Sequence, residues 1–255
     1  MIRSCDDKML TVIIITKNEE SHIAKCLESV KWADEIIVLD SGSSDETVSI
    51  CHQFTPHVFE TDWQGFGVQK QRALNKATSD WVLSIDADEI VTPELRAEIE
   101  HAINQNQHDA FLLSRLSSYC GKFIKHGGWY PDYILRLFRR ERGHFTDDVI
   151  HERVIVEGNI GKLNAHILHE SYSDLSEVLI KINSYSTLQA QKLLAHGAKS
   201  SLSKAIFRGL WKFIQTYLIK AAFLDGKHGL MLAISSAESV YYKYLKLLEL
   251  QNKCR

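Results

Sequence analysis

Four short segments of strand character, separated by stretches with helical periodicity, open the sequence. The first, second and fourth segments are apolar runs without polar alternation, which is typical of strands buried on both faces. The third segment is shorter. The predicted strands are Leu10–Ile15, Glu35–Leu39, His57–Glu60 and Trp81–Ile85. Strands that alternate with helices indicate a parallel sheet with crossover helices.

The intervening segments carry helix signals. The capping residues of Asn18–Ser21 precede an apolar repeat with helical spacing at Ile23, Cys26, Leu27 and Val30. Further helices are predicted from about Glu46 and up to Leu74. Residues 109–170 have the pattern of mixed strands and loops. From Leu175 onward the pattern is helical, with one wide apolar stripe over 202–218 and a second helix over about 230–250. We predict an α/β fold with a mostly parallel sheet, flanking helices and a helical C-terminal extension.

Composition and charge refine this picture. The chain has 255 residues, of which 45% are hydrophobic and 24% charged, as in an ordinary globular protein. Residues 196–255 carry ten Lys or Arg against three Asp or Glu, whereas the rest of the chain is acidic. We therefore predict two parts, an acidic α/β domain over 1–195 and a basic amphipathic extension over 196–255.

Cysteine usage and the N-terminus bear on location. The five cysteines are scattered and form no C-x-x-C pair, which suits a reducing cytosol. The apolar run near the N-terminus is too short to span a membrane, and no signal peptide is expected. The acidic first part and the lack of an RNA or DNA motif argue against nucleic-acid binding.

Polar clusters follow three of the predicted strands, where parallel sheets bind ligands. Asp86 and Asp88 follow the fourth strand, and paired carboxylates of this kind suit Mg²⁺ or Mn²⁺ holding a diphosphate. Asp40 begins a Gly- and Ser-rich loop that lets backbone approach a ribose or a base. The alternative is a solvated turn at the first site and an ordinary turn with a helix cap at the second.

These motifs together resemble those of family 2 glycosyltransferases with the GT-A fold. The likeness rests on Thr16–Glu19, Leu39–Thr47, Gly67–Gln71 and Asp86–Glu89, in this order and spacing. It implies a nucleotide-diphospho-sugar donor, inversion at the anomeric carbon and a divalent cation, Mn²⁺ or Mg²⁺. Lys70-Gln71 departs from the Arg-Asn pair that many relatives carry there.

The resemblance also implies site residues. The expected donor-binding residues are Thr16, Asn18, Glu19, Asp40, Gly42, Lys70, Asp86, Arg136 and Arg139. Strand alternation places Arg136 and Arg139 on opposite faces, so only one of them is expected to face the donor. The expected metal ligands are Asp88 and His169, although a structural role for His169 is a close alternative.

Later segments look like the subgroup that builds the inner core of bacterial lipopolysaccharide. They are Trp129–Asp132, Arg136–Arg140, Asp147–Asp148, His151–Glu152, Leu168–Glu170 and Phe223–Gly229. This likeness implies transfer of glucose from UDP-glucose to a core heptose on a lipid-anchored acceptor, at the cytoplasmic face of the inner membrane. An acceptor hydroxyl needs a general base, for which Glu152 is the first choice and Asp148 the second.

The basic C-terminal helix offers a means of membrane attachment. Its apolar face, with Phe207, Trp211, Phe213 and Tyr217, is flanked by lysine and arginine, so it can lie in an anionic headgroup layer. Packing against the catalytic domain is the alternative. Rival functions are a glycosyltransferase with another cell-envelope acceptor, a haloacid-dehalogenase-type phosphatase, a sugar nucleotidyltransferase and a non-catalytic nucleotide-binding scaffold.

Overall fold

The computed structural model describes residues 9–146 and 153–253, which form two compact units. The sheet unit comprises the described residues up to 115 and those from 132 to 169. The helical unit comprises residues 116–131 and the described residues from 170 onward. The charge pattern predicts a boundary at residue 195, and this boundary remains a prediction. In the structure, the helix that ends at Ala195 belongs to the helical unit.

The first half of the sheet unit is parallel, as the sequence predicts. Strand β1 lies between β2 and β4, and β3 extends the sheet beyond β2. The strands are β1 (Leu10–Thr16), β2 (Glu35–Asp40), β3 (Val58–Glu60) and β4 (Trp81–Asp86). The helices that connect them are α1 (Ile23–Val30), α2 (Thr47–Cys51) and α3 (Phe66–Leu74).

The second half of the sheet is mixed. Strand β8 runs antiparallel to both β4 and β6, and β11 runs antiparallel to β5, so the sheet order is β3-β2-β1-β4-β8-β6-β11-β5. These strands are β5 (Glu89–Val91), β6 (Ala110–Tyr119), β7 (Lys122–Phe123), β8 (Asp132–Arg139), β9 (Gly143–Phe145), β10 (Val154–Val156) and β11 (Ile160–His169). Helix α4 (Pro93–Gln105) follows β5, and β9 pairs with β10 separately.

Strand β1 lies between two neighbouring strands, and both of its faces are buried. Val12 and Ile14 belong to the apolar cluster on one side of the sheet, and Ile13 and Ile15 belong to the cluster on the other side. This follows from the period of two along a strand, which sends successive side chains to opposite faces. An uninterrupted β-branched run is therefore what this position requires.

The helical unit is built around its C-terminal helix. Helix α5 (Leu175–Ala195) and helix α6 (Leu202–Ile214) both pack on α7 (Lys227–Lys253). Helix α6 approaches α7 closely at Gly209. A Cβ at this position would be only 3.2 Å from Cβ of Tyr241. Helix α6 ends earlier than its apolar stripe predicts, since Gln215–Ile219 form a π-helical turn. Across the described ranges, no helix is both long and apolar enough to cross a bilayer.

Candidate functional site

Three strands end together at one edge of the sheet. Thr16 at the end of β1 pairs with Asp40 at the end of β2, and the preceding residue of β1, Ile15, pairs with Asp86 at the end of β4. Asp40 and Asp86 therefore stand about 10 Å apart, or two strand spacings, with β1 between them. The structure thus brings the polar loops after β1, β2 and β4 to the carboxyl edge of the sheet, where α/β proteins bind ligands.

The loop after β2 is held by its own carboxylate. Asp40 is fully buried, and its Oδ2 accepts the backbone N–H groups of Gly42 and Ser43, each at 2.8 Å. Its Oδ1 accepts the Ser43 hydroxyl at 2.5 Å. Gly42 has a φ of +82°, a conformation that glycine adopts without steric cost. Both carboxylate oxygens of Asp40 thus shape the loop.

The loop after β1 is joined to the loop after β2. Asn18, with a φ of +55°, accepts the Ser44 backbone N–H at its Oδ1 and donates its own N–H to Ser43 Oγ, both at 2.8 Å. The Glu19 N–H donates to Thr47 Oγ1 at 2.8 Å. These bonds hold the first two polar motifs as one rigid element, although the two motifs are about 25 residues apart in sequence.

Thr16 leaves a hydrogen-bonding group at the centre of this edge. Its hydroxyl is buried and, among the described residues, has no hydrogen-bond partner. A buried polar group without a partner costs about 1–3 kcal/mol. The structure therefore leaves one enclosed hydroxyl without a partner among the described residues at the end of the central strand.

Asp86 is neutralised by two buried cations. Lys70 Nζ lies 2.9 Å from Oδ1 of Asp86, and Arg136 Nη2 lies 2.5 Å from Oδ2. Burial alone raises the pKa of Asp86, but the charges of Arg136 and Lys70 outweigh burial and hold this pKa well below its ordinary value. Asp86 therefore stays ionised, and its negative charge is already matched within the protein.

Glu89 is a member of this charge cluster that sequence reasoning did not assign. It is fully buried, accepts the Asp86 backbone N–H at 2.9 Å and receives Arg136 Nη2 at 3.1 Å. Arg115 lies 3.8 Å from it and also pairs with Asp132 at 2.7 Å. Burial, assisted by the charge of Asp86, raises the pKa of Glu89 against the effect of Arg136. The signal in the sequence that could have identified Glu89 is its position directly after Asp88.

Asp88 and His169 form a separate pair next to this cluster. His169 Nε2 is 3.1 Å from Asp88 Oδ2, and both side chains keep some exposure, 16% and 25% respectively. They meet because β11 pairs antiparallel with β5, which sets His169 opposite Glu89. Among the described residues, no lysine or arginine pairs with Asp88, in contrast to Asp86.

This pair fits part of a cation site. An aspartate oxygen and an imidazole nitrogen are ligands that Mn²⁺ accepts, and Mg²⁺ or Mn²⁺ in phosphate sites uses few protein ligands and completes its shell with phosphate and water. The described residues contain no group of three or more His, Cys, Asp or Glu side chains that could hold a metal ion.

Arg139 is not brought to this edge. Its guanidinium pairs with Asp109 at 3.3 Å and lies over the ring of Trp81, the first residue of β4. Arg136 and Arg139 are three positions apart, about 10 Å along a strand, so β8 carries Arg139 to the opposite edge of the sheet. Only Arg136 joins the donor-site candidates. The proposed bases Glu152 and Asp148 lie outside the described residues.

Gln69 is a second residue that the motifs did not single out. It is fully buried on α3, and its Nε2 donates to Ser41 Oγ at 2.8 Å and to Thr61 Oγ1 at 3.0 Å. It thereby fixes the start of the loop after β2. Gln71 is one of the two residues that depart from the Arg-Asn pattern. Its side-chain Oε1 accepts the Phe145 backbone N–H at 2.9 Å.

Comparison with known proteins identifies the class of this chain. Residues 11–163 match the family described as Glycosyl transferase family 2, so the chain belongs to that family. A protein of Rickettsia typhi named "Uncharacterized glycosyltransferase" is 32% identical over 97% of this chain and 89% of its own length. The enzyme is thus a glycosyltransferase, which rules out the phosphatase and nucleotidyltransferase alternatives.

One further curated protein and one solved structure are similar to this chain. The lipopolysaccharide core biosynthesis glycosyltransferase LpsC of Rhizobium meliloti is 29% identical over 94% of this chain and 92% of its own length. The mannosyltransferase PcManGT of Pyrobaculum calidifontis, solved with GDP-Man and Mn²⁺, aligns with 92% of this chain and 74% of its own at a TM-score of 0.52 and 16% identity. This structural likeness confirms the predicted GT-A fold class.

The charge cluster predicts a measurable stability difference. Arg136→Met removes the cation that joins Asp86 to the buried carboxylate of Glu89, and we expect a loss of about 3 kcal/mol in the free energy of unfolding. Arg96→Met is the matched control, since Arg96 pairs with Glu100 at the exposed surface. Loss of this surface ion pair costs at most about 1 kcal/mol. Urea titrations followed by circular dichroism measure both. Equal midpoints for the two variants would show that the buried cluster is not needed.

Proposed function

We propose that this enzyme transfers glucose from UDP-glucose, with inversion and with a divalent cation, to a heptose of the lipopolysaccharide inner core. The observation that carries the proposal is the convergence of the β1, β2 and β4 loops at one sheet edge, where Asp86 is ion-paired and Asp88 pairs with His169. The similarity to LpsC, whose name assigns it to lipopolysaccharide core biosynthesis, supports the choice of acceptor class. Another cell-envelope acceptor is the second candidate.

In this proposal the joined loops hold the nucleoside. The free hydroxyl of Thr16 and the backbone around Asn18, Glu19 and Gly42 line the edge that the donor enters. Asp40 keeps that backbone in place through its three accepted hydrogen bonds. Nucleotide binding at such an edge needs close backbone approach, which the glycine allows.

Charge at the diphosphate is shared among several groups. Lys70 and Arg136, with Asp86 between them, place positive charge near the donor, and Asp88 with His169 would hold Mn²⁺ or Mg²⁺. Such a cation, when bound, neutralises the negative charge that grows on the departing diphosphate. Because no described lysine or arginine pairs with Asp88, its carboxylate is available for that role.

The acceptor hydroxyl requires a general base, either a carboxylate or an imidazole. In our proposal Glu152 takes the proton as the hydroxyl oxygen bonds to C1 of the sugar and the bond from C1 to the diphosphate breaks. Asp148 is the second candidate. A single displacement of this kind inverts the anomeric carbon. A well-placed base contributes about 10²–10⁴-fold to the rate.

The helical unit is proposed to attach the enzyme peripherally to the cytoplasmic face of the inner membrane. Helix α6 and the turns after it expose many large apolar side chains: Leu202, Ile206, Phe207, Leu210, Trp211, Ile214, Leu218, Ile219, Phe223 and Leu224. Lysine and arginine are interspersed among them. A helix with an exposed apolar face and basic flanks binds anionic headgroups. Residues 196–255 would then act as the membrane-facing extension of a catalytic part over 1–195.

The metal assignment is tested by thermal unfolding. We expect UDP to raise the melting temperature and Mn²⁺ to raise it further, because ligands that bind only the folded state stabilise it. Asp88→Ala removes the increment due to Mn²⁺, and His169→Ala reduces it. Asp80→Ala, an exposed carboxylate just before the amino end of β4, is the control and retains the full increment. Absence of any shift with nucleotide or metal argues against the donor site.

The base assignment is tested by separating binding from transfer. Glu152→Gln should keep UDP-glucose binding, because amide and carboxylate have nearly the same shape, and should lower kcat by about 10²-fold or more. Glu157→Gln, at an exposed position, serves as the control and keeps normal turnover. Normal turnover by Glu152→Gln would exclude this base and leave Asp148 to be tested in the same assay.

Membrane attachment is tested by sedimentation with liposomes. The double variant Phe207→Ser with Leu210→Ser should lower binding to anionic vesicles by at least about tenfold, since each buried side chain contributes about 1.5–3 kcal/mol. Ile160→Ser removes an exposed apolar side chain from the sheet unit and should leave binding unchanged. Equal sedimentation of the double variant and the unmodified protein would favour internal packing of this helix.

A further inference from the structure

A cavity of about 250 Å³ lies entirely within the helical unit. None of the residues proposed above to bind the donor, the metal or the acceptor hydroxyl lines it. Its walls combine aromatic rings, serine hydroxyls and lysine ammonium groups. Binding pockets for small molecules have this composition, with apolar and aromatic walls and a few placed polar groups. The volume suits a ligand of about one sugar ring.

The aromatic wall consists of three rings in mutual contact. Tyr119, Trp129 and Tyr172 have ring centroids 5.8 to 6.0 Å apart. Tyr119 is buried, and its hydroxyl is fixed by Ser235 Oγ at 2.7 Å. Lys181 Nζ stands 4.6 Å from the centroid of the Tyr172 ring. Packed rings present a firm surface at low entropy cost, and the C–H face of a pyranose packs well against such a surface.

The hydroxyl groups come from one face of α7. Ser235, Ser236 and Ser239 all line the cavity, and Ser239, four and three residues after the other two, lies beside each of them on the helix. A serine hydroxyl both donates and accepts a hydrogen bond, as a sugar hydroxyl does. A purely aliphatic ligand would leave this row of hydroxyls unused.

The cationic groups favour a negatively charged ligand. Lys181 is already paired with Glu177 at 3.2 Å, whereas Lys212 makes no ion pair with a carboxylate in the part of the chain that the structure describes. Burial, together with the positive charges of Lys220 and Lys243, lowers the pKa of Lys212 from its ordinary value. An anion beside Lys212 would relieve this repulsion among cations.

We propose that the cavity binds an anionic saccharide, a sugar ring that carries a carboxylate or a phosphate. The ring lies against Trp129 and Tyr172, its hydroxyls bond to the serines of α7, and its acidic group pairs with Lys212. The inference rests on the helical unit alone and does not require the proposed donor site or metal site.

Saturation-transfer difference NMR on the full chain tests this inference. The probes are glucuronic acid, glucose 6-phosphate and glucose, each measured with saturating UDP so that phosphate binding at the donor edge is suppressed. Irradiation of the protein aromatic protons should transfer saturation to the ring protons of an acidic sugar and far less to glucose. A response to only one of the two acidic sugars also supports the inference and identifies the acidic group.

Two lysine variants locate the binding. Lys212→Gln, at a half-buried position, should weaken binding of the acidic sugar by about tenfold, because one charged hydrogen bond is lost. Lys192→Gln, exposed on α5 and outside the cavity, should leave it unchanged. Tyr172→Leu should reduce the transfer to the ring protons.

Three results would overturn the inference: no transfer to either acidic sugar, equal transfer to glucose, or normal binding by Lys212→Gln. A failure of UDP to bind in the same samples would count against the proposed function and leave this inference standing, so the two proposals fail separately.

Discussion

The pairing of β1 between β2 and β4 is the constraint on which the candidate site depends. Because Thr16 pairs with Asp40 and Ile15 pairs with Asp86, three loops that are far apart in sequence end at one edge. A slip of one residue would turn every side chain of β1 to the other face, and the two apolar clusters on either side of the sheet prevent it. The packing of the core therefore also sets the geometry of the polar edge.

Charge at this edge is divided between two roles. Asp86 and Glu89 are matched by Lys70 and Arg136, and these ion pairs fix the positions of the four side chains. Asp88, two residues after Asp86, pairs with His169 and, among the described residues, with no lysine or arginine. The two aspartates thus differ in their partners, since cations hold the first and an imidazole contacts the second.

Much of the sheet unit could be predicted from the sequence, whereas the details of the site could not. The apolar runs predicted β1, β2 and β4 because burial on both faces leaves a clear pattern. The pattern could not show that Glu89 is fully buried, since that depends on Arg136, which is distant in sequence and paired across the sheet. Alternation separated Arg136 from Arg139 by face, but only the antiparallel course of β8 shows that they also lie at opposite edges.

The most direct test of this account is paramagnetic broadening of backbone amide signals by Mn²⁺ in the presence of UDP. If the carboxyl ends of the strands form the donor and metal site, amides near Asp88, Thr16, Gly42 and His169 lose intensity together. Signals at the opposite edge, around Arg139, remain sharp. Broadening centred elsewhere, or no localised broadening, would contradict the claim that these loops form one site.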